Sequence, residues 1–126
     1  MRLPLSPGVP ITVTLRVEGE KGFCETDAVL DTGALFVTIP TEVALDLGYQ
    51  VAGAPRVTVA TASGVVEAPK IILSRVSVGD VEGTDIAALC LDISAAGVSS
   101  LLGLSFLSRC NLAVDWKRQT LTITDP

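Results

Sequence analysis

Histidine is absent from the sequence, and this absence excludes several classes of catalytic site. Ser-His-Asp and Cys-His sites both need an imidazole base, so neither can be built from this chain. Zinc sites with histidine ligands are excluded for the same reason. General acid–base chemistry at moderate pH must therefore come from a carboxyl group with a raised pKa, or from a lysine or tyrosine with a lowered one.

Cysteine is scarce and widely spaced. Cys24, Cys90 and Cys110 show no CxxC spacing, which argues against a cysteine-only zinc site and favours buried apolar roles. The phosphate-binding patterns GxxxxGK[ST] and GxGxxG are also missing. We therefore expect neither a metal nor another cofactor. The odd cysteine count, together with no signal-peptide pattern over residues 1–10, favours a reducing, cytoplasmic location.

Charge is sparse, at 18% of residues with a net charge of −5. Without basic runs, the chain is not expected to bind nucleic acid or an anionic membrane. No apolar run reaches the ~18–20 residues of a membrane helix. Hydrophobic residues nevertheless make up 48% of the chain, which indicates apolar surface reserved for a partner or a substrate. Homodimerisation is the simplest way to bury such a surface, although a β-rich core alone also accounts for the composition. The length predicts a single domain over residues 1–126.

The residue patterns along most of the sequence are typical of β-strands. The predicted fold class is therefore all-β, mainly β with two short helices. Residues 11–18 alternate apolar or β-branched side chains with polar ones, as a half-buried strand does. One helix is predicted between an N-cap at Thr41 and a terminating Gly48. The other is predicted over residues 104–110. Further strands are predicted at 23–31, 56–61, 65–72, 74–79, 83–91, 112–116 and 119–124.

One aspartate directly follows an apolar strand. Asp31 comes after Ala28-Val29-Leu30 and is followed by Thr32, Gly33 and Ala34. By itself the tripeptide Asp-Thr-Gly is more simply interpreted as a type I turn after a strand, since all three residue types suit turns. The segments around it decide between a plain turn and a loop that presents a functional carboxylate.

Residues 29–34 resemble the active-site loop of retropepsin-like aspartic proteases (clan AA). Residues 101–103, with the helix after them, resemble the apolar segment that crosses behind that loop. The hairpin at 61–64 falls where the family carries its flap, and residues 111–116 are typical of the bacterial DTGA subgroup. The resemblance spans residues 10–124 in the expected order.

The resemblance implies an acid-protease barrel with one lobe per chain, pairing as a C2 homodimer. Asp31 is then the catalytic residue, Thr32 locks the two loops together, Gly33 leaves room for the carboxylates, and Ala34 lines the substrate cleft. The flap comprises Thr61, Ala62, Ser63 and Gly64, and the supporting segment behind the site comprises Leu101, Leu102 and Gly103.

Two positions depart from the retroviral pattern. Leu35 stands where retroviral proteases often carry an acidic residue, and Leu104 stands where they carry arginine. The Arg-to-acid pair that supports the retroviral dimer is therefore absent, so the mode of dimerisation is left open. Phe106 and Trp116 are each interpreted as core or dimer contacts.

Carboxylate chemistry explains why one such aspartate per chain suffices. Two carboxyl groups must share one proton and hold one water. Asp27 lies four residues from Asp31, roughly 13 Å along a strand, and Asp115 has no comparable loop. The second carboxylate is therefore expected from a second copy of the chain. The expected function is aspartic endopeptidase activity on a peptide or protein substrate. The alternatives are a catalytically weak or silent peptide-binding or dimerisation module, and a regulatory β-domain without a cleft.

Overall fold

The fold is mainly β, as the sequence predicted. The computed structural model describes residues 1–61, 64–93 and 97–125, with the backbone alone for Thr61. The described strands are β1 (Arg2–Pro4), β2 (Thr12–Gly19), β3 (Gly22–Leu30), β4 (Val37–Ile39), β5 (Arg56–Thr61), β6 (Gly64–Val78), β7 (Val81–Cys90), β8 (Ser100–Leu102), β9 (Asn111–Asp115) and β10 (Thr120–Thr124). The described helices are α1 (Thr41–Asp46) and α2 (Leu104–Leu107).

Six strands form a closed barrel. The neighbours follow the order β2-β3-β8-β4-β7-β6, and β6 pairs back onto β2 through Arg16↔Ser77 and Glu18↔Arg75. Closure pairs both edges of each strand with another strand of the ring, at least along part of its length. β5 lies outside the ring and pairs with the first half of β6.

The long strand β6 corrects one sequence prediction. Two strands were expected, at 65–72 and 74–79, but the structure has a single strand that pairs with β5, β7 and β2 in turn. Leu73 lies at the expected break and is fully buried opposite Ile86. Burial of this side chain keeps the backbone extended, so the two predicted segments join.

Alternation along β2 supplies one wall of the core. Val13, Leu15 and Val17 are buried, whereas the residues between them are exposed, which confirms the strand predicted at 11–18. Such alternation places every second side chain on the inner face. The largest fully buried side chains of the core include Phe106, Leu15, Ile39, Leu73, Ile86, Leu102 and Ile123.

A second sheet of three described strands has the order β1-β10-β9, all antiparallel. The hairpin of β9 and β10 confirms the prediction at 112–116 and 119–124, whereas β1 was not predicted. Leu3, Leu121 and Ile123 join the barrel core. This sheet therefore covers part of the barrel with β1 and β10.

Helix α1 begins after a different N-cap residue than predicted, and helix α2 is shorter than predicted. The N-cap of α1 is Pro40, without a side-chain cap bond, so the predicted cap at Thr41 is wrong. Helix α2 ends at Leu107 because the amides of Arg109 and Cys110 bond to carbonyls three residues back, as in a turn. Among the described residues, no helix has the length and apolarity of a membrane span.

Ser105 connects α2 to two strands through one hydroxyl group. Its Oγ donates to the carbonyl oxygen of Ala87 in β7 at 2.6 Å and accepts from the amide of Val37 at the start of β4 at 2.9 Å. Both bonds are partly buried. Since a buried backbone group without a partner costs free energy, this hydroxyl fixes the helix against the barrel.

The substitution Ser105→Ala is predicted to lower the free energy of unfolding by about 1–3 kcal/mol, because Val37 N–H and Ala87 C=O lose their partner. Urea denaturation measures this loss. The control is Ser108→Ala, the same change at an exposed position just after the helix, where we expect about 0.5 kcal/mol or less. Equal losses in the two variants would show that the hydroxyl bridge does not stabilise the fold.

Candidate active site

Asp31 lies directly after β3, where that strand runs parallel to β8. Leu30 is opposite Leu102 in this parallel pair, and the amide of Asp31 donates to the carbonyl oxygen of Leu102 at 3.0 Å. Leu102 is fully buried and Leu101 is half-buried. The segment 101–103 therefore holds the start of the Asp31 loop by backbone pairing.

The loop after Asp31 folds back on its own carboxylate. The amide of Gly33 donates to Asp31 Oδ1 at 2.9 Å, and the amide of Ala34 donates to the carbonyl oxygen of Asp31 at 3.2 Å. A Cβ atom on Gly33 would lie 3.1 Å from Oδ1. Glycine at this position thus leaves space beside the carboxylate. The hydrogen bond from the Gly33 amide orients that carboxylate.

Gly103 allows the loop and helix α2 to touch through their backbones. A Cβ atom on Gly103 would lie 2.3 Å from the carbonyl oxygen of Phe36 and 2.8 Å from that of Ala34. The first amides of the helix, at Leu104 and Ser105, donate to the carbonyl oxygens of Ala34 and Leu35 at 2.8 and 2.9 Å. These bonds satisfy amides at the helix start that have no partner within the helix.

A cleft of about 630 Å³ opens beside the loop. Asp31 is the one ionisable residue among the described residues that line it, and most of the others are apolar. β5 and the end of β7 both contribute lining residues. The described lining is Asp31, Gly33, Ala34, Leu35, Phe36, Thr38, Val57, Thr58, Val59, Ala60, Leu89, Leu91, Ile93 and Leu101.

The hairpin of β5 and β6 reaches from this cleft to the predicted flap. Thr61 and Gly64 form its last described pair, and Gly64 has a φ of +126°, which favours glycine. Ala62 and Ser63, the other two predicted flap residues, lie outside the described residues. Among described strands, β5 is the last in its sheet order, so its outer edge faces away from the barrel.

Comparison with known families gives a match over most of the chain. Residues 13–109 match the family model described as "gag-polyprotein putative aspartyl protease". The chain belongs to this aspartyl protease family. Its structure is similar to the crystal structure of a retropepsin-like aspartic protease from Rickettsia conorii, with a TM-score of 0.73 and 23% sequence identity over 99% of this chain and 89% of that chain. The predicted retropepsin-like fold is confirmed. No curated protein matches the sequence.

The sequence analysis missed several of the residues that line the cleft. Leu35 directly follows the Asp-Thr-Gly-Ala motif and is 68% exposed, so its position beside the motif was an available signal. Leu89, Leu91 and Ile93 alternate and share the cleft, which a strand period of two could have indicated. The sequence of β5 gave no such signal, because its residues reach the cleft only through the pairing of β5 with β6.

All three cysteines are absent from the described lining of the cleft, and Cys24 and Cys110 are half-buried rather than buried as predicted. Cys90 is buried, and burial, followed by the nearby charge of Asp92, raises the pKa of its thiol to about 11. Burial also raises the pKa of Cys110, with a smaller contribution from Asp125. A thiol with a raised pKa is a poor nucleophile at neutral pH. Across residues 1–61, 64–93 and 97–125, no three Cys, Asp or Glu side chains cluster closely enough to hold a metal ion.

The close approach at Gly103 gives a direct prediction. Gly103→Ala should lower the free energy of unfolding by about 3 kcal/mol or more, because the new methyl group meets backbone atoms that cannot move independently. Thermal or urea denaturation measures the change.

The matched control for this substitution is Gly8→Ala. A Cβ atom at Gly8 meets nothing within 4 Å, but its φ is +77°, so alanine there should cost only about 1 kcal/mol of backbone strain. A loss at Gly103 no larger than the loss at Gly8 would contradict the contact between the loop and the helix.

Proposed function

We propose that the protein is a homodimeric aspartic endopeptidase that hydrolyses extended peptides between the Asp31 side chains of two copies. The observation that supports this most is the position of Asp31. Its carboxylate lies at the wall of a 630 Å³ cleft and is the one ionisable group among the described lining residues. Membership in an aspartyl protease family agrees with that placement.

A second copy is needed because the other candidate carboxylates are engaged elsewhere. Asp27 accepts a hydrogen bond from the Thr14 hydroxyl at 3.2 Å on the exposed face of the β2–β3 pair. Asp115 accepts the amide of Arg118 at 3.0 Å in the turn after β9. Neither residue lines the cleft. A two-fold axis beside the Asp31 loop would bring in the same residue from the partner.

The proposed chemistry uses the two carboxyl groups as one acid–base unit. Like charges at short range disfavour double ionisation, so the pair holds a single shared proton. The ionised member removes a proton from water as the water oxygen bonds to the scissile carbonyl carbon. The protonated member donates to the carbonyl oxygen, forming a neutral tetrahedral diol. As the C–N bond breaks, the protonated carboxyl group donates its proton to the leaving nitrogen, and the ionised one takes a proton from a diol hydroxyl group. The products are a carboxylic acid and an amine, and the pair again holds one shared proton.

The cleft favours an extended peptide with apolar side chains beside the scissile bond. Its walls include Leu35, Phe36, Val57 and Leu91, which can bury such side chains. The outer edge of β5 offers backbone groups to which a peptide can add as a strand. In this proposal Thr61, Ala62, Ser63 and Gly64 act as the flap that closes over the substrate.

The other loop residues have supporting roles in the proposal. Thr32 is exposed, and in the proposal its hydroxyl bonds to the backbone of the partner's loop. Gly33 keeps the carboxylate accessible, and Ala34 contributes a small side chain to the cleft. Leu101, Leu102 and Gly103 hold the loop from behind.

Asp31→Asn is predicted to reduce cleavage of an unstructured protein substrate by at least about 1,000-fold, because the amide can neither accept the water proton nor share one. Cleavage is measured from pH 4 to 7 at several enzyme concentrations. For the wild type, the rate should rise faster than linearly with dilute enzyme, since only the dimer is active.

The control is Asp27→Asn, the same change four residues earlier on the exposed face of β3, which should cleave like wild type. Unchanged activity in Asp31→Asn would refute the proposed chemistry. Peptide binding without cleavage by the wild type, unaffected by Asp31→Asn, would instead support a binding module.

A further inference from the structure

Lys70 ends a row of directly paired residues that crosses four strands of the barrel. Leu101 of β8 is opposite Thr38 of β4, and Thr38 is opposite Leu89 of β7. Leu89 is in turn opposite Lys70 of β6. The first three of these residues line the cleft. Because directly paired residues project to the same face of a sheet, the side chain of Lys70 projects to the face that carries the cleft.

The position of the Lys70 ammonium agrees with this register. Its Nζ lies 5.7 Å from the centroid of the Phe36 ring, and Phe36 lines the cleft. A cation at this distance over an aromatic face is attracted by the ring. Lys70 and Phe36 are both half-buried. The ring therefore holds the ammonium at the border of the cleft.

The Lys70 ammonium has no acid partner in the part of the chain that the structure describes. All ion pairs found there join other residues. Glu67, three residues earlier on the same strand, pairs with Arg56 at 4.0 Å. Lys21 and Lys117 also have no ion pair there, but both are exposed. Because charges attract more strongly where water is partly excluded, a carboxylate gains more beside Lys70 than beside an exposed lysine.

There is also space beside this ammonium. Lys70 lines a shallow depression of about 440 Å³ and is the one charged residue of its described lining. Tyr49, the other ionisable lining residue, donates its hydroxyl hydrogen to the carbonyl oxygen of Glu18. The depression and the cleft share no described lining residue, and Lys70 contacts the cleft residue Phe36. Lys70 thus lies between the two, where an acidic side chain that leaves the cleft can reach it.

The spacing of the strands sets which peptide residue meets Lys70. Leu101 lies beside the Asp31 loop, since the next residue, Leu102, accepts the Asp31 amide. Three strand spacings of ~4.8 Å separate Leu101 from Lys70, a span of about 14 Å. An extended peptide advances about 3.3 Å per residue, so it covers this span in about four residues.

We propose that Lys70 is a specificity-determining residue that selects substrates with a glutamate or aspartate about four residues from the scissile bond. The carboxylate of that residue pairs with the ammonium, while apolar side chains nearer the bond occupy the cleft. The inference rests on the proposed function and adds one charged contact to an otherwise apolar substrate class. Each copy contributes one Lys70, so an acidic residue on either side of the bond meets the requirement.

Charge reversal at Lys70 tests the proposal without a known substrate. Wild type and Lys70→Glu digest the same mixture of unfolded proteins of known sequence, and mass spectrometry identifies the bonds that each enzyme cuts. Near the fourth residue from the wild-type cuts, we expect Asp and Glu at about threefold or more their background frequency. Lys70→Glu should favour Lys and Arg there instead, whereas a lysine with only a structural role would leave the residue frequencies unchanged.

The variant Lys70→Met provides the second arm. It keeps the apolar stem over Phe36 and removes the charge, so it should cut with neither preference. The control is Lys117→Met, the same change at an exposed lysine in the turn after β9, which should keep the wild-type preference for acids. Circular dichroism establishes which variants fold; should Lys70→Glu unfold, the comparison of Lys70→Met with wild type decides the question.

The outcomes separate this inference from the proposed function. Wild-type cuts without acidic enrichment, or enrichment that persists in folded Lys70→Met, would refute the role of Lys70 and leave an aspartic protease intact. No cleavage by the wild type would overturn the proposed function and this inference with it. Asp31→Asn should cut nothing, which assigns the cuts to the proposed chemistry.

Discussion

The structure depends on one close contact between backbones, where Gly103 lies against the loop that follows Asp31. No side chain fits there, since a Cβ atom would come within 2.3 Å of the Phe36 carbonyl oxygen. The contact lets the first amides of α2 reach the loop carbonyls while Leu102 accepts the Asp31 amide. Both sides of the loop are thereby tied to buried elements. A loop held in this way keeps its carboxylate in one orientation, which the proposed acid–base chemistry needs.

Because the loop is fixed, its successive residues line two different surfaces. Asp31 and Gly33 face the apolar cleft, while Thr32 faces the groove beside β9. The fold of one chain thus presents half of a proposed two-carboxylate site and, on the neighbouring side, an uncovered apolar sheet face. Adjacent residues of one loop therefore contribute to both surfaces. In the proposed mechanism activity depends on protein concentration, because two copies are needed to complete the pair of carboxylates.

Sequence reasoning succeeded where a short pattern carries its own geometry. The alternation in β2 predicted which residues enter the core, and the Asp-Thr-Gly-Ala motif placed Asp31 at the end of a strand. It failed for β1, β4 and β8, which have three residues each, too few to show a period of two. β8 exists because residues 100–102 pair with residues 28–30, a contact between distant parts of the chain. The exposure of Trp116 was also beyond the sequence, because an apolar sheet face has the same pattern whether or not another element covers it.

Part of the high apolar content of the chain lies in exposed side chains at two surfaces, the cleft and the groove beside β9. Leu35 lies exposed at the cleft, and Val9, Val114 and Trp116 lie exposed around the groove. Phe23, also exposed, is covered on one ring face by the Arg16 guanidinium at 3.9 Å, so it is not left wholly to water. An apolar face beside an open strand edge is an aggregation hazard for any protein that leaves both uncovered. The proposed mechanism needs a second copy of the chain beside the Asp31 loop. In that mechanism, contact between the copies and completion of the pair of carboxylates occur in the same step, so the chemistry of the cleft would depend on the stability of the assembly.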